Sequence, residues 1–223
     1  MASEFPRSPQ ILKGALVAYE SQFLGPIPNL IIFQYNPETV TRTLTEQTAS
    51  GSGTGQRSPR EAYQVKGPPK EKISLTVTLD AADQLETPEL NPDVVIAGLH
   101  PVLAALELLM YPPSLEVITN MALAQLGSRQ ITPQDAPMVL LVWGPGRAVP
   151  VHITGFNVTE KAFDQLLNPT LADVRLDMDV MTYLDLEPGT LGHGASVAHH
   201  IAKEVLARAN VVGTLVRTAP LPF

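Results

Sequence analysis

Residues 30–44, LIIFQYNPETVTRTL, run from an apolar stretch into an Asn36-Pro37 pair and out again into alternating Val, Thr, Arg, Thr and Leu. That order reads as strand, bend, strand: one strand to about Tyr35, a corner at Asn36-Pro37 and a second strand over 39–46. Pro37 biases Asn36 toward extended geometry and removes one ladder donor, so the chain must bend there or lie at a sheet edge. The segment holds no obvious reactive group. It is either the rim of a pocket or a piece of sheet built for assembly.

Upstream, ILKGALVAYE at 11–20 reads as a first strand, and Gly25, Pro26 and Pro28 punctuate the loop after it. Downstream, residues 49–70 are dominated by Gly, Ser, Pro and charge and bury too little apolar surface to offset the entropy of ordering them. They are expected to form a flexible arm that orders against a partner, with Gly51, Gly53, Gly55, Arg57, Arg60 and Tyr63 as its candidate inter-subunit contacts. Ile73, Leu75, Val77 and Leu79 then alternate with Ser74, Thr76 and Thr78, the period of two that marks a strand with one face on a core.

Asn91, Pro92 and Asp93 open the best helix candidate, Val94 to Met110, with Asn91 as a possible N-cap and Pro101 expected to kink or split it. A second helical piece over 114–126 completes a helical insertion at 91–135. The unbroken apolar run 138–143 is of strand length. It is followed by extended stretches around Val149 to Val158 and by Val174 to Val180, where Asp173, Arg175, Asp177 and Asp179 share the opposite face. A modestly amphipathic helix over 196–212 carries Val197, Ile201, Val205 and Val212 on one side. Seven or eight strands not regularly interleaved with helices predict an α+β chain built on antiparallel strands, as a sandwich or partly open barrel with flanking and C-terminal helices. Its organisation reads as a β domain over 1–186, followed by a linker, helix and tail over 187–223.

Composition narrows function. Of 223 residues, 44% are hydrophobic and only 17% charged, which suits surface that partners cover. The net charge of −7, with 15 scattered Lys and Arg, gives no basic footprint for nucleic acid and no polybasic membrane patch. The absence of cysteine excludes a disulfide framework, a thiolate nucleophile and a Cys-type zinc site. No apolar run has membrane-spanning length, the N-terminal stretch lacks a signal-type apolar core, and a cytoplasmic location is expected.

Signatures of chemistry fail on their own geometry. Gly51, Gly53 and Gly55 resemble a phosphate loop, but no Lys-Ser/Thr pair and no helix start follow. His193, His199 and His200 lie six and one apart, not at the spacing of three or four that neighbouring ligands on a helical face need, while His100 and His152 read as cap or sheet-face residues. Asp173, Asp177 and Asp179 lie on a strand where a calcium site needs a loop, and Gly192 to Ser196 is no nucleophile elbow. The chain therefore reads as a non-enzyme, with no catalytic, metal or cofactor residues. A small-molecule-binding α+β domain or hydrolase is the alternative from another class, and it would show a deep pocket with converging polar groups.

The motifs in their order resemble those of the tube-type hub proteins of contractile injection systems, phage-tail-like particles whose baseplate couples a trimeric spike to a hexameric inner tube. FQYNP at 33–37 matches the hydrophobic-x-x-Asn-Pro signature, EKISLTVTLD at 71–80 a strand ending in Asp, and PMVLLVWG at 137–144 a strand ending in Trp-Gly. AFDQLLNPTLADVRLDMDV at 162–180 matches a further segment. The resemblance covers about residues 10–186 and singles out Phe33, Asn36, Pro37, Leu75, Asp80, Trp143, Gly144, Phe163, Asp164, Pro169 and Ala172 as structural positions. Asn168 and Leu171 stand where the family often has Gly and Arg. A C-terminal helix and TAPLPF stand where many relatives carry a peptidoglycan-binding LysM module, so that binding is not implied.

What the resemblance implies is a tail-tube type of β-barrel with a flanking helix and a structural role as baseplate adaptor, joining spike to tube and initiating tube assembly. The partners implied are other copies in a hexameric ring, inner-tube subunits, the spike protein and baseplate wedge or sheath-proximal proteins. The place implied is the bacterial cytoplasm, within a tail-like particle. An ordinary inner-tube subunit is the nearest alternative.

Overall fold

A computed structural model describes residues 12–19, 29–47, 65, 67–112, 114–125 and 137–218. Seven strands form one antiparallel sheet: β1 (Ala15–Tyr19), β2 (Asn29–Ile32), β3 (Val40–Thr45), β4 (Lys70–Asp80), β5 (Met138–Val142), β6 (Ala148–Phe163) and β7 (Pro169–Val180). Their spatial order is β2-β1-β5-β6-β7-β4-β3. The helices are α1 (Ala82–Leu85), α2 (Pro92–Ala97), α3 (His100–Glu107), α4 (Ser114–Gln125) and α5 (Leu191–Thr218). The α+β class and the antiparallel strands are as the sequence predicts. The six arm positions Gly51, Gly53, Gly55, Arg57, Arg60 and Tyr63 lie outside the described residues.

The stretch that opens the reading is not a hairpin. β2 pairs with β1 and β3 with β4, so these consecutive strands occupy the two opposite edges of the sheet. Every neighbouring pair is antiparallel, so the two edge strands of a seven-strand ladder run in the same sense. Laid flat, such a ladder would hold its edges roughly 29 Å apart. Residues 33–39 could reach about 28 Å only when fully extended, and they are bent and bonded at several points. The sheet is therefore rolled, and residues 33–39 cross its seam.

One face of the roll is the core. Ile73, Leu75, Val77 and Leu79 of β4 interleave with exposed or half-exposed neighbours, as their period requires, and meet Val174, Leu176, Met178, Val139, Leu141, Val151 and Ile153 inside. Leu99, Leu103, Leu106 and Leu109, in and around α3, close the cluster from one end. Large side chains buried to 5% or less recur through this list, so hydrophobic burial is the dominant cohesive term.

The long helix candidate is split, as Pro101 suggests, but the break lies at Gly98 (φ +57), which closes α2, with Pro101 in the first turn of α3. Asn91 takes the N-cap position of α2, but its side chain makes no cap hydrogen bond. Its amide nitrogen donates instead to the carbonyls of Gln84 and Thr87 and to Thr87 Oγ1, bracing the turn between α1 and α2. The C-terminal helix begins five residues before the expected 196 and extends to Thr218.

Candidate functional site

The residues singled out by resemblance gather chiefly at two places. At the seam, the Phe33 N–H donates to the Gly14 carbonyl at 2.9 Å. Asn36 Oδ1 accepts the Gly14 N–H at 2.8 Å, and Asn36 Nδ2 donates to the Leu12 carbonyl at 2.9 Å. On the other side of the seam, Gln34 Nε2 donates to the Asp80 carbonyl at 2.6 Å and its Oε1 accepts the Asp80 N–H at 2.9 Å. Gln34 thus mimics a peptide group and gives the free end of β4 a ladder partner.

Beneath these bonds, Phe33 is 1% exposed and its ring tilts against Trp143, with centroids 6.3 Å apart. Gly14 allows that approach, because a Cβ there would stand 2.8 Å from the indole and 2.9 Å from the Phe33 ring. The backbone N–H of Trp143 donates to the Arg147 carbonyl at 2.7 Å, closing the β5–β6 turn in which Gly144 takes φ +76. Leu75 and Ala172 are core residues, and Pro37 is half-buried in the crossing segment.

The second place is the tip of the β6–β7 hairpin. Asp164 Oδ1 accepts the N–H groups of Leu166 and Asn168, and Oδ2 accepts Asn168 Nδ2 at 2.8 Å. The side-chain bond from Asn168 leads the effects that hold the Asp164 carboxyl below its ordinary range. Asn168 Nδ2 also donates to the Ile96 carbonyl, and buried Pro169 accepts the Leu99 N–H at 2.8 Å. Asn168, at the departure from the family pattern, therefore ties the tip to the helices. Phe163 is half-exposed, while Leu166 and Leu167 are each 77% exposed, Leu167 at φ +65.

Two polar arrangements complete the surface. On the outer face of β4, β6 and β7, Ser74 Oγ donates to Asp177 and Thr78 Oγ1 to Asp173, while Lys161 pairs with Asp173 and Lys72 with Asp179. These bonds hold the Asp173 and Asp177 carboxyls below the usual range, led by Lys161 in the first case and Ser74 in the second. Asp173 and Asp177 are satisfied in a cross-strand polar ladder across three strands, while Asp179 Oδ1 has no hydrogen bond and lies 3.7 Å from Lys72. A shallow groove along Tyr35, Asn36, Thr76, Lys161 and Asp173 crosses this face. Among the described residues no group of three or more His, Asp or Glu could hold a metal ion, and no helix is long and apolar enough to cross a membrane.

At the opposite end of β4 lies a site that pattern reading missed. Glu71 shares the inward parity of Ile73 and Leu75 and is 6% exposed. Its carboxylate takes Arg42 Nη2 at 2.6 Å and Lys203 Nζ, from α5, at 2.8 Å. Burial pushes the Glu71 carboxyl up, but the hydrogen bonds from Lys203 and Arg42 outweigh it and hold it below its usual range. His199, one turn earlier in α5, has both ring nitrogens unpartnered, and burial followed by the Lys203 charge lowers its affinity for a proton. The signal was available: a Glu in phase with the buried positions of a strand needs a partner.

Taken together these groups fasten elements and present surfaces. No protein-family model and no curated protein matches the chain, so these geometries are what bears on its function.

Proposed function

We propose that the chain is a structural subunit that closes into a hexameric ring and serves as a baseplate adaptor of a contractile injection system, between spike and inner tube. The observation that carries this reading is segment 29–45. Among the described residues, β2 pairs only with β1 and β3 only with β4, which leaves an unpaired backbone edge on each. The same strands turn Leu30, Ile32 and Leu44 outward at 55%, 56% and 52% exposure. Edge strands that combine free ladder groups with exposed apolar side chains invite pairing with another chain, and a closed ring satisfies them without open-ended growth. The motif residues support the same reading, since Phe33, Asn36 and Trp143 fix the crossing segment that sets the two edges beside each other.

The test is assembly. Light scattering on the purified chain, alone and mixed with the tube and spike proteins of the same particle, is expected to show a hexameric ring. Substituting Ile32→Lys and Leu44→Lys is expected to abolish the ring while leaving the thermal melt of the subunit within a few degrees. A chain that stays monomeric both alone and in the presence of the tube and spike proteins overturns the reading.

A further inference from the structure

Charge is segregated along the chain. From Ile73 to Ser128 there is no Lys or Arg, and the acidic residues in that stretch are Asp80, Asp83, Glu86, Glu89, Asp93, Glu107 and Glu116. They account for the whole net charge of −7, so the remainder of the chain is balanced. The C-terminal stretch leans the other way: after Glu204, which lies 4.0 Å from Arg208, Arg217 follows and no further acidic residue does.

The fold places these two segments at opposite ends of the roll. β4 enters beside Glu71, where Lys203 anchors α5, and leaves at Asp80, from which α1 and then α2 and α3 follow. Register keeps the ends apart, with Lys72 opposite Asp179 at one and Asp80 opposite Leu171 at the other. The acidic end is also apolar: Leu85, Leu90, Val95 and Ile96 stand exposed among Asp83, Glu86, Glu89 and Asp93, with Leu90 at 80% and Ile96 at 73%.

At the other end α5 leaves the body. Every residue from Lys203 to Val211 is exposed, whichever side of the helix it occupies, so among the described residues this part of α5 is held to the body chiefly through the Lys203–Glu71 pair. The helix continues to Thr218, about 22 Å beyond its anchor at Lys203. Its sequence, KEVLARANVVGTLVRT, contains Asn, Gly and several β-branched residues, which give it weak helix propensity of its own. Ile201, Val205 and Leu206 are exposed on it at 54%, 58% and 68%. Such a helix is stabilised by a surface that is apolar and opposite in charge.

We propose that the outer half of α5 docks on the acidic, apolar cap formed by α1 and α2 of a second copy of the chain, head to tail. The contact is heterologous, because the two surfaces differ and sit at opposite ends of one subunit, so repetition closes a ring or stacks subunits end on end. It rests on the reading of the chain as a self-assembling subunit and names the surfaces that meet. Apolar burial supplies cohesion, and the opposed charges set partner and polarity.

The chain has no cysteine, so single-cysteine variants of the full chain report the contact directly. Leu206→Cys and Leu90→Cys proteins, mixed and oxidised, are expected to form a disulfide-linked dimer in good yield. Leu206→Cys mixed with Ile32→Cys is expected to give several-fold less. Charge reversal adds a second readout: Arg208→Glu and the double variant Glu86→Lys/Glu89→Lys are each expected to weaken self-association about tenfold or more in sedimentation, and mixing the two to recover most of it. Rings that persist in every variant, with equal cross-linking in both mixtures, overturn the α5 contact and leave the ring reading standing. A wild-type chain that is monomeric throughout overturns both. Association of the cap with a spike or tube protein but never with a second copy overturns the proposal in favour of another occupant.

Discussion

At the seam of the roll, Phe33 is 1% exposed, its ring meets Trp143, and Gly14, Gln34 and Asn36 bond across to two different strands. Along the outer part of α5, every residue from Lys203 to Val211 is exposed, and the link to the body there is Lys203 on a buried carboxylate shared with Arg42. The two regions belong to one chain but are held by different physics. The seam is held by apolar burial and close packing, which are local, strong and nearly independent of pH. The α5 anchor is held by charge, which depends on protonation and can be released without unfolding the sheet.

The comparison breaks most severely at Phe33. Truncation by Phe33→Ala leaves a cavity against Trp143 and Gly14 and is expected to cost about 3–5 kcal/mol in a denaturant titration. Gly14→Ala attacks the same packing from the other side, pushing a methyl into both rings, and overpacking of this kind costs about 1–3 kcal/mol. Both variants should lower the stability of the whole sheet. A loss confined to residues 29–39 in hydrogen exchange would show that the seam is an accessory and that the roll holds without it.

Glu71→Gln sharpens the other half. The amide keeps shape and an acceptor but leaves Arg42 and Lys203 uncompensated. Both cations are partly exposed (30% and 42%), so water recovers part of the loss and the expected cost is about 1–2 kcal/mol. Hydrogen exchange should quicken in α5 while the protection of β4, β6 and β7 is retained. Equal quickening in all of them would mean that helix and sheet form one cooperative unit.

Acidification acts on the same anchor more gently. His199 faces Lys203, Glu71, Arg147 and Arg42, and its folded-state pKa lies below the ordinary imidazole value. The unfolded chain therefore binds more protons in the interval between the folded value and about 6.5, so stability is full above that interval and falls as pH drops through it. Glu71, with its pKa depressed by folding, adds a second loss at lower pH, below the ordinary carboxyl value. Loosening of α5 on going from pH 7.5 to 5.5, followed by exchange or by a fluorophore on the helix, should be abolished in His199→Gln. A pH response unchanged in that variant would assign it elsewhere.

What the sequence disclosed and withheld follows the same division. Alternation in 71–80 and 173–180 discloses strands because each position reports its own face, and Pro101 discloses a broken helix because proline acts on its own backbone. That β2 and β3 lie on opposite edges could not be read locally. The information is in Asn36 reaching Leu12 and Gly14, and in Gln34 reaching Asp80, contacts between residues far apart in the chain. Asn91 sits at the N-cap position as read, but its side chain makes no cap bond because its amide has better partners in the preceding turn. Of the site positions, Asp164 could be read as a turn residue, whereas Asn168 owes its importance to Ile96, which only the fold brings near.

The smallest expected effect concerns the hairpin tip, where the two kinds of support meet. Leu167 takes φ +65, a conformation that costs an L-residue with a Cβ about 1–2 kcal/mol. It is 77% exposed, so its side chain returns little by burial. The backbone around it is held by Asp164, which collects the N–H groups of Leu166 and Asn168 on one oxygen, and by Asn168 on Ile96. Glycine at 167 would relieve the steric cost and forfeit about 0.5–1 kcal/mol through the greater freedom of the unfolded chain. Leu167→Gly is thus expected to stabilise the subunit by roughly 0.5 kcal/mol, read as a small rise in the urea midpoint at unchanged slope. A loss of more than about 1 kcal/mol would mean that the Leu167 side chain packs on the body after all, and the rigid region would then extend from the seam to the tip.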